Sequence, residues 1–172
     1  MIGPKLKPRI QPGDYHLMVN DEVETVKCYD STGKHLWTKP ALAKGVNGRT
    51  TWTNGGDTPP GLYKVGVLWK SLQTDSKADV WYPYGPLCWD LEEQEGQESA
   101  RGRAGICLHG GGSGAPNPLA DYQPLLPTYG CIRMHNKDTV DFILPLTHKW
   151  DAQRGWVRRG NNVWVSVFQD YD

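Results

Sequence analysis

The chain has 172 residues, 20 of them Gly and 13 Pro, and its formal net charge is zero. This length suits one domain with one core, and a neutral chain has no electrostatic footprint for binding nucleic acid. The apolar runs are short, and none has the length of a membrane-spanning helix. Many turn residues, together with 8 Trp and 8 Tyr, predict a mainly β fold.

The first 13 residues predict an extended arm, because Pro4, Pro8 and Pro12 interrupt regular structure and little of the arm is apolar. Its basic residues are not followed by an apolar stretch, so the segment is not a secretory signal peptide. The protein therefore stays inside the cell, leaves by a route that needs no such signal, or has lost a signal by trimming. Residues 14–172 are predicted to form one domain.

Alternating apolar residues predict a series of strands. The predicted strands cover 15–19, 24–29, 35–37, 62–69, 104–109 and 161–168. In the strand at 62–69, Tyr63, Val65, Val67 and Trp69 are expected to face the core. One short helix is predicted after Asn136, which is a good N-cap residue.

An aromatic segment at 80–89 precedes an acidic, polar run at 90–103. The aromatic side chains either line a pocket or belong to the core, and Pro83, Gly85 and Pro86 argue against a regular strand there. The aromatic residues are Trp81, Tyr82, Tyr84 and Trp89. The acidic run is predicted to be a solvated loop.

The four cysteines are Cys28, Cys88, Cys107 and Cys131. Their spacing contains no CxxC pair, so no zinc site is predicted, and no other metal or cofactor is expected. A domain of this size folds without disulfides, so we expect free thiols. If a bridge forms, Cys88–Cys107 is the first candidate.

The stretch from Gly105 to Asn136 contains the residues that predict a catalytic site. An apolar strand leads into His109, a glycine-rich loop follows, and Cys131 comes directly after Gly130. A thiol and an imidazole brought together are the minimum needed for covalent acyl chemistry. In a strand Cys107 and His109 point to the same face, so Cys107 is expected beside the histidine as a small buried residue.

Gly130 leaves room for a substrate carbonyl, and the backbone N–H groups of the turn at Tyr129–Cys131 are predicted to form an oxyanion hole. Other motifs in this stretch are incomplete. The His-Gly-Gly-Gly run lacks a GxSxG nucleophile elbow elsewhere in the chain. A loose dinucleotide-binding pattern is excluded because Pro116 and Pro118 prevent the helix that must follow it.

These residues resemble the L,D-transpeptidase catalytic domain of the YkuD-like family. The matching segments are His109-Gly110, then Thr128-Tyr129-Gly130-Cys131-Ile132-Arg133-Met134, and upstream Thr58-Pro59-Pro60-Gly61-Leu62-Tyr63. The resemblance covers about 15–168. It implies that residues 14–172 are a catalytic domain built as a β-sandwich of mixed sheets, with one short helix after the cysteine.

The resemblance also implies an activity on peptidoglycan stem peptides. Cys131 would form a thioester and release D-Ala, with His109 as general base and the Gly110 carbonyl orienting the imidazole. An amine or water would then take the acyl group, which gives crosslinking, D-amino-acid exchange or carboxypeptidase activity. Arg133 would support the site or meet a substrate carboxylate. Thr128, Trp81, Tyr82 and Tyr84 are the other expected substrate-binding residues.

One departure from the family pattern is Tyr129, which stands where a histidine is usual two residues before the cysteine. It keeps a second interpretation open, a cell-wall-binding module of the same fold with little or no turnover. A third is a cysteine hydrolase of another kind, such as an amidase. Action in the periplasm or cell wall without a signal peptide predicts delivery by a phage-like or contractile secretion apparatus.

Overall fold

The computed structural model describes residues 1–70 and 82–170 and is mainly β. The strands are β1 (Tyr15–Asn20), β2 (Thr25–Asp30), β3 (His35–Leu42), β4 (Gly61–Lys70), β5 (Cys88–Glu93), β6 (Cys107–His109), β7 (Ile132–Met134), β8 (His148–Asp151), β9 (Gly155–Arg158) and β10 (Val163–Phe168). Short helices are α1 (Gln97–Ala100), α2 (Asn136–Asp138), a π-helical segment (Thr139–Ile143) and α3 (Leu144–Thr147).

The predicted sandwich is wrong, because the main sheet closes on itself. Its strand order is β1-β10-β4-β5-β6-β7-β3-β2, and β1 pairs with both β10 and β2. The β1–β10 and β6–β7 pairs are parallel, and the other pairs of the barrel are antiparallel. Closure pairs the strands that a sandwich would leave as sheet edges. Strands β8 and β9 form a separate hairpin that the sequence pattern did not predict.

The expected core face of β4 is correct only for its first half. Tyr63 and Val65 are buried, but Val67 is 63% exposed and Trp69 is 44% exposed. The pairing of β4 with β5 shifts register after Val65 and again after Leu68. Each such irregularity changes which side chains point inward, so the alternation does not continue along the strand.

The acidic run at 90–103 is not the solvated loop that its charge predicts. Its first part belongs to β5, which pairs with β4 on one side and β6 on the other. Helix α1 follows, and the Glu93 carboxylate accepts the backbone N–H groups of Glu98 and Ser99 at its start. Glu98 and Arg103 are both buried. Charged side chains of this segment therefore lie in the interior as well as at the surface.

The predicted helix after the central stretch begins at Asn136, but His135 rather than Asn136 occupies its N-cap position. Pro145 lies in the first turn of α3, which continues to Thr147. Proline is tolerated there because an N–H in the first turn has no partner within its own helix. The side chain of Asn136 is used elsewhere, on the loop after His109.

The N-terminal arm is extended and attached to the barrel. Ile2 and Gln169 form an isolated antiparallel bridge, and the Leu6 N–H donates to the Glu95 carboxylate at 2.6 Å. Within 1–70 and 82–170, the helices are all too short or too polar to cross a membrane.

Burial of Glu98 makes stability depend on pH. Burial, and next the charge of Glu93, raises the pKa of Glu98 to about 7. An ordinary glutamate in the unfolded chain titrates near pH 4.3. The folded state therefore holds this proton more tightly than the unfolded state. The stabilisation of the folded state by this proton is complete below about pH 4 and is lost as the pH rises through about 7.

We expect Glu98→Gln to remove this part of the pH dependence. At pH 8 the variant should be more stable than the original chain by up to about 3 kcal/mol, and at pH 4 the two should be nearly equal. Urea unfolding at both pH values measures the difference. The exposed Glu22→Gln is the control and should keep the original pH profile. A Glu98→Gln profile parallel to the original would contradict the assignment.

Candidate active site

The site is built on the face of β5, β6 and β7 that points away from the barrel core. Leu108 pairs with Ile132 and His109 with Arg133 across the parallel β6–β7 pair. Side chains alternate along a strand, so Leu108 and Ile132 enter the core while their neighbours face the other way. The outward set is Cys88, Asp90, Cys107, His109, Cys131 and Arg133.

Most of these outward residues line a cleft of about 890 Å³. The structure brings most of the predicted site residues together around it. Those that line the cleft are Tyr84, His109, Thr128, Tyr129, Cys131 and Arg133. The shared face of Cys107 and His109, predicted from the alternation in this strand, is confirmed, and Cys107 also lines the cleft.

His109 is 2% exposed, and its ring is held in one orientation. Nδ1 lies 2.7 Å from the Gly110 carbonyl oxygen. A carbonyl oxygen only accepts, so Nδ1 carries the proton and Nε2 is the acceptor nitrogen of the neutral imidazole. The ring of Tyr84 lies edge-on to the imidazole at 5.2 Å between centroids, and Trp69 packs edge-on against Tyr84 at 5.0 Å. Tyr84 thus covers the histidine, and Trp69 covers Tyr84.

Cys131 is half-buried, and its sulfur lies between polar groups. Sγ accepts the backbone N–H of Cys107 at 3.3 Å and is 3.7 Å from the Gly105 carbonyl oxygen. Interaction between the neighbouring Cys107 and Cys131 thiols lowers the pKa of Cys107 and raises that of Cys131. The two sulfurs titrate as a pair. The charge of Arg133 opposes the rise at Cys131 and favours a thiolate there.

The turn before Cys131 is fixed by two hydroxyl groups. Thr128 Oγ1 accepts the Gly130 N–H at 3.0 Å and donates to the Cys131 carbonyl at 2.7 Å. Thr58 Oγ1 donates to the Gly130 carbonyl at 2.7 Å. Gly130 has φ of 119°, which disfavours any residue with a Cβ atom. The Thr-Pro-Pro-Gly segment therefore contacts the nucleophile turn directly.

Arg103 is a buried support of this turn that the sequence did not indicate. Its side chain is 5% exposed and donates to the Tyr129 carbonyl at 3.2 Å and the Gly56 carbonyl at 3.0 Å. Two further hydrogen bonds reach the carbonyls of Thr51 and Asp57. A Cβ atom on Gly130 would lie 2.0 Å from the guanidinium, so the glycine and the arginine fit only together.

Arg133 binds backbone carbonyls rather than acidic side chains. Nε donates to the Gly110 carbonyl at 3.3 Å, and Nη1 donates to the Leu126 carbonyl at 2.5 Å. Nη2 reaches the Pro83 carbonyl at 3.2 Å. The guanidinium thus joins the aromatic segment, the loop after His109 and the nucleophile strand. These contacts favour the supporting role among the two that the resemblance implies.

The remaining predicted site residues have different surroundings. Tyr129 is 71% exposed at the cleft, whereas Tyr82 is 40% exposed and is not among the residues that line it. The Tyr82 carbonyl nevertheless accepts the Gly112 N–H at 2.5 Å. Trp89 is fully buried in the core. Trp81 lies outside the described residues.

The loop between β6 and β7 is held by Asn136. Its Oδ1 accepts the Gly111 N–H at 2.8 Å, and its Nδ2 donates to the carbonyls of Pro118 and Ala120, each at 2.8 Å. Gln123 adds hydrogen bonds to the Gly111 and Met134 carbonyls. The glycine- and proline-rich loop is therefore tied to the first turn of α2.

The described part of the chain contains no group of three or more His, Cys, Asp or Glu residues close enough to hold a metal ion. All four cysteines are free thiols in this structure. Like Arg103, Asp90 was not predicted as a site residue; it lines the cleft, and its carboxylate lies 3.5 Å from the Cys107 thiol. Polar Asp90 alternates with apolar Trp89 and Leu91, and this pattern indicates a strand.

Comparison with known proteins supports the resemblance. The family model of the YkuD L,D-transpeptidase catalytic domain matches residues 14–145. No curated protein matches the chain. Among solved structures, Bd1075 of Bdellovibrio bacteriovorus has 16% sequence identity and a TM-score of 0.56. Pgp2 of Campylobacter jejuni, a helical cell shape determining protein, has 19% identity and a TM-score of 0.52.

Both of these alignments cover 90% of this chain and 47% of the other chain, so the chain spans about half the length of the structures it matches. At such low identity the similarity shows the fold alone. The family assignment rests on the family model, which covers most of the chain and includes both His109 and Cys131. The chain therefore belongs to the YkuD family of L,D-transpeptidase catalytic domains.

Proposed function

We propose that this chain is a cysteine L,D-transpeptidase that acts on peptidoglycan stem tetrapeptides. One observation carries the proposal. His109 is oriented by the Gly110 carbonyl and lines the same cleft as Cys131, and the two residues come from adjacent parallel strands. A thiol, an oriented imidazole and a cleft that admits a peptide are the parts that acyl transfer through a thioester requires.

In the proposed first step, Cys131 Sγ attacks the carbonyl carbon at the L-centre of diaminopimelate. Nε2 of His109 takes the thiol proton and delivers it to the departing amine of D-Ala. The Nδ1–H bond to Gly110 is kept throughout, so Nε2 is the nitrogen that accepts and releases the proton. The product is a thioester between Cys131 and the shortened stem peptide.

An oxyanion hole in this turn would use fewer N–H groups than the sequence suggests. The Gly130 N–H already donates to Thr128 Oγ1. The backbone N–H groups of Tyr129 and Cys131 are therefore the proposed donors to the developing oxyanion. Thr58 and Arg103 bind the adjoining carbonyls, which keeps these peptide planes fixed while charge develops on the substrate.

The second step passes the acyl group to an amine of another stem, to a free D-amino acid or to water. His109 is neutral again after giving its proton to the leaving amine, so it can act as base for this acceptor. Tyr129 and the loop from 110 to 127 border the cleft beside Cys131 and are proposed to determine which acceptor enters. Arg133 and Thr128 support the site, and Tyr84 provides one of its walls.

A second candidate is a cell-wall-binding module with little turnover. The observation that favours it is Tyr129, a large exposed side chain beside the nucleophile where the family pattern has histidine. Either function acts on peptidoglycan, and we propose the periplasm or cell wall as its location. Delivery by a phage-like or contractile secretion apparatus stays a prediction.

Incubation with a disaccharide-tetrapeptide, followed by mass spectrometry, separates these functions. Loss of D-Ala with a transient covalent adduct on Cys131 is the expected result. A matched reaction with added D-amino acid or a second stem peptide identifies the acceptor. Binding without any change in substrate mass would favour the binding module. Cleavage of a different bond would overturn the proposal and indicate another class of cysteine hydrolase.

A further inference from the structure

A second thiol lies directly beside the nucleophile. Leu108 pairs with Ile132 across the parallel β6–β7 pair, so the residues one position earlier, Cys107 and Cys131, are also neighbours. The backbone N–H of Cys107 donates to Cys131 Sγ at 3.3 Å. The shared register and this contact place both sulfurs on the same side of the sheet.

This arrangement meets the requirements for a disulfide. Neighbouring strands are about 4.8 Å apart, which falls within the range of about 4.4–6.8 Å between the Cα atoms of bridged cysteines. Cys131 lies at the end of β7 next to Gly130, so a small rotation of its side chain or turn suffices to bring the sulfurs together. Cys131 is reachable from the cleft, whereas Cys107 is 6% exposed below it.

The other two thiols are poor competitors. Cys28 belongs to the core, and burial raises its pKa to about 12. Cys88 is fully buried, and burial raises its pKa. It lies opposite His109 on the neighbouring strand, which makes it a diagonal rather than a direct neighbour of Cys107. Of the four thiols, Cys131 is the most accessible to an oxidant.

We propose that Cys107 is a resolving cysteine that forms a reversible disulfide with Cys131 after oxidation by a peroxide. The Cys131 thiolate attacks one peroxide oxygen, the O–O bond breaks, and Cys131 becomes a sulfenic acid while the other oxygen leaves as water or an alcohol. The Cys107 sulfur then attacks the sulfenyl sulfur. The S–S bond forms, the S–O bond breaks, and hydroxide leaves with the Cys107 proton as water.

In sum, the two thiols lose two electrons and two protons, and the peroxide accepts them. The bridge protects Cys131 from further oxidation to the sulfinic acid, which thiols do not reverse. A dithiol reductant restores both thiols. If the proposed function is correct, the bridge also stops turnover, because the nucleophile is no longer available. That consequence rests on the proposed function, but the bridge itself does not.

The test treats the purified chain with stoichiometric hydrogen peroxide, blocks remaining thiols under denaturing conditions and measures intact mass. We expect the oxidised chain to carry two blocking groups, on Cys28 and Cys88, and to lack the two thiol hydrogens of the bridged pair, about 2 Da; after dithiothreitol it should carry four blocking groups. Trypsin leaves both residues in one peptide, 104–133, because no Lys or Arg lies between Arg103 and Arg133. Cleavage before Asp121 separates the two cysteines and shows directly whether they are linked.

With two or more equivalents of peroxide, Cys107→Ser should instead gain about 32 Da as Cys131 is oxidised through the sulfenic to the sulfinic acid, with no recovery on reduction. The matched control Cys88→Ser should still form the bridge. A Cys88–Cys107 link in the original chain, or sulfinic acid formation at the same rate with and without Cys107, would overturn the proposal. The mass readout needs no turnover, so a chain that forms the bridge but leaves tetrapeptides intact refutes only the proposed function.

Discussion

Replacing Cys131 with alanine is expected to abolish release of D-Ala from a stem tetrapeptide, with a fall in rate of about 10⁵-fold or more. Alanine retains the β-carbon and backbone of the turn but removes the only atom that can carry the acyl group. The change is small, and Cys131 is half-buried rather than part of the core, so the barrel should fold normally. The rate of D-Ala release and the covalent adduct mass are the two measurements.

Cys28→Ala is the matched control, since it removes a sulfur from β2 without touching the cleft. It should lower stability modestly and leave the rate of D-Ala release nearly unchanged. Full activity in Cys131→Ala would show that the nucleophile lies elsewhere. Loss of activity in both variants would indicate a folding defect, and circular dichroism identifies that case.

The second large effect is expected at Arg103. Its guanidinium donates to the carbonyls of Thr51, Gly56, Asp57 and Tyr129. Arg103→Met should lower the free energy of unfolding by about 3–5 kcal/mol, because buried carbonyls without partners cost about 1–3 kcal/mol each before the structure relaxes. Methionine fills much of the same volume, so the loss reports the hydrogen bonds. Chemical denaturation measures it.

Arg154→Met is the matched control. Arg154 is exposed and pairs only with the nearby Asp151 on the β8–β9 hairpin, so its loss should cost less than about 0.5 kcal/mol. The alkylation rate of Cys131 in the native state gives a second readout. It should fall in Arg103→Met, because the Tyr129 carbonyl and the nucleophile turn lose their support. Equal stability of the two variants would contradict the role given to Arg103.

The placement of His109 and Cys131 at one cleft was predictable from the sequence because its signals are local. Residue types fix the chemistry of His109 and Cys131, and strand alternation fixes the shared face of Cys107 and His109. The family assignment followed from the same short segments. The orientation of the imidazole by Gly110 was likewise expected, and the 2.7 Å hydrogen bond is present.

What the sequence did not reveal depends on contacts between distant segments. Closure of the barrel requires β1 to pair with β10, about 150 residues later, and no local pattern encodes that choice. The register shift after Val65 in β4 coincides with Gly66, and a glycine in a strand signals a bulge without specifying the register that follows it. Arg103 resembles any surface arginine in its acidic neighbourhood until the fold buries it against the turn at Tyr129.

Because β6 and β7 pair in parallel, the spacing between His109 and Cys131 and the choice of acceptor depend on different parts of the structure. The register of Leu108 with Ile132 sets the spacing between the histidine and the nucleophile through the backbone lattice of the sheet. The connecting segment from 110 to 131 therefore does not have to set this spacing. It can be lengthened, shortened or exchanged to admit different acceptors, provided that the anchor at Asn136 and the turn at Gly130 are kept. Redesign of acceptor choice in this enzyme class can begin with that segment alone.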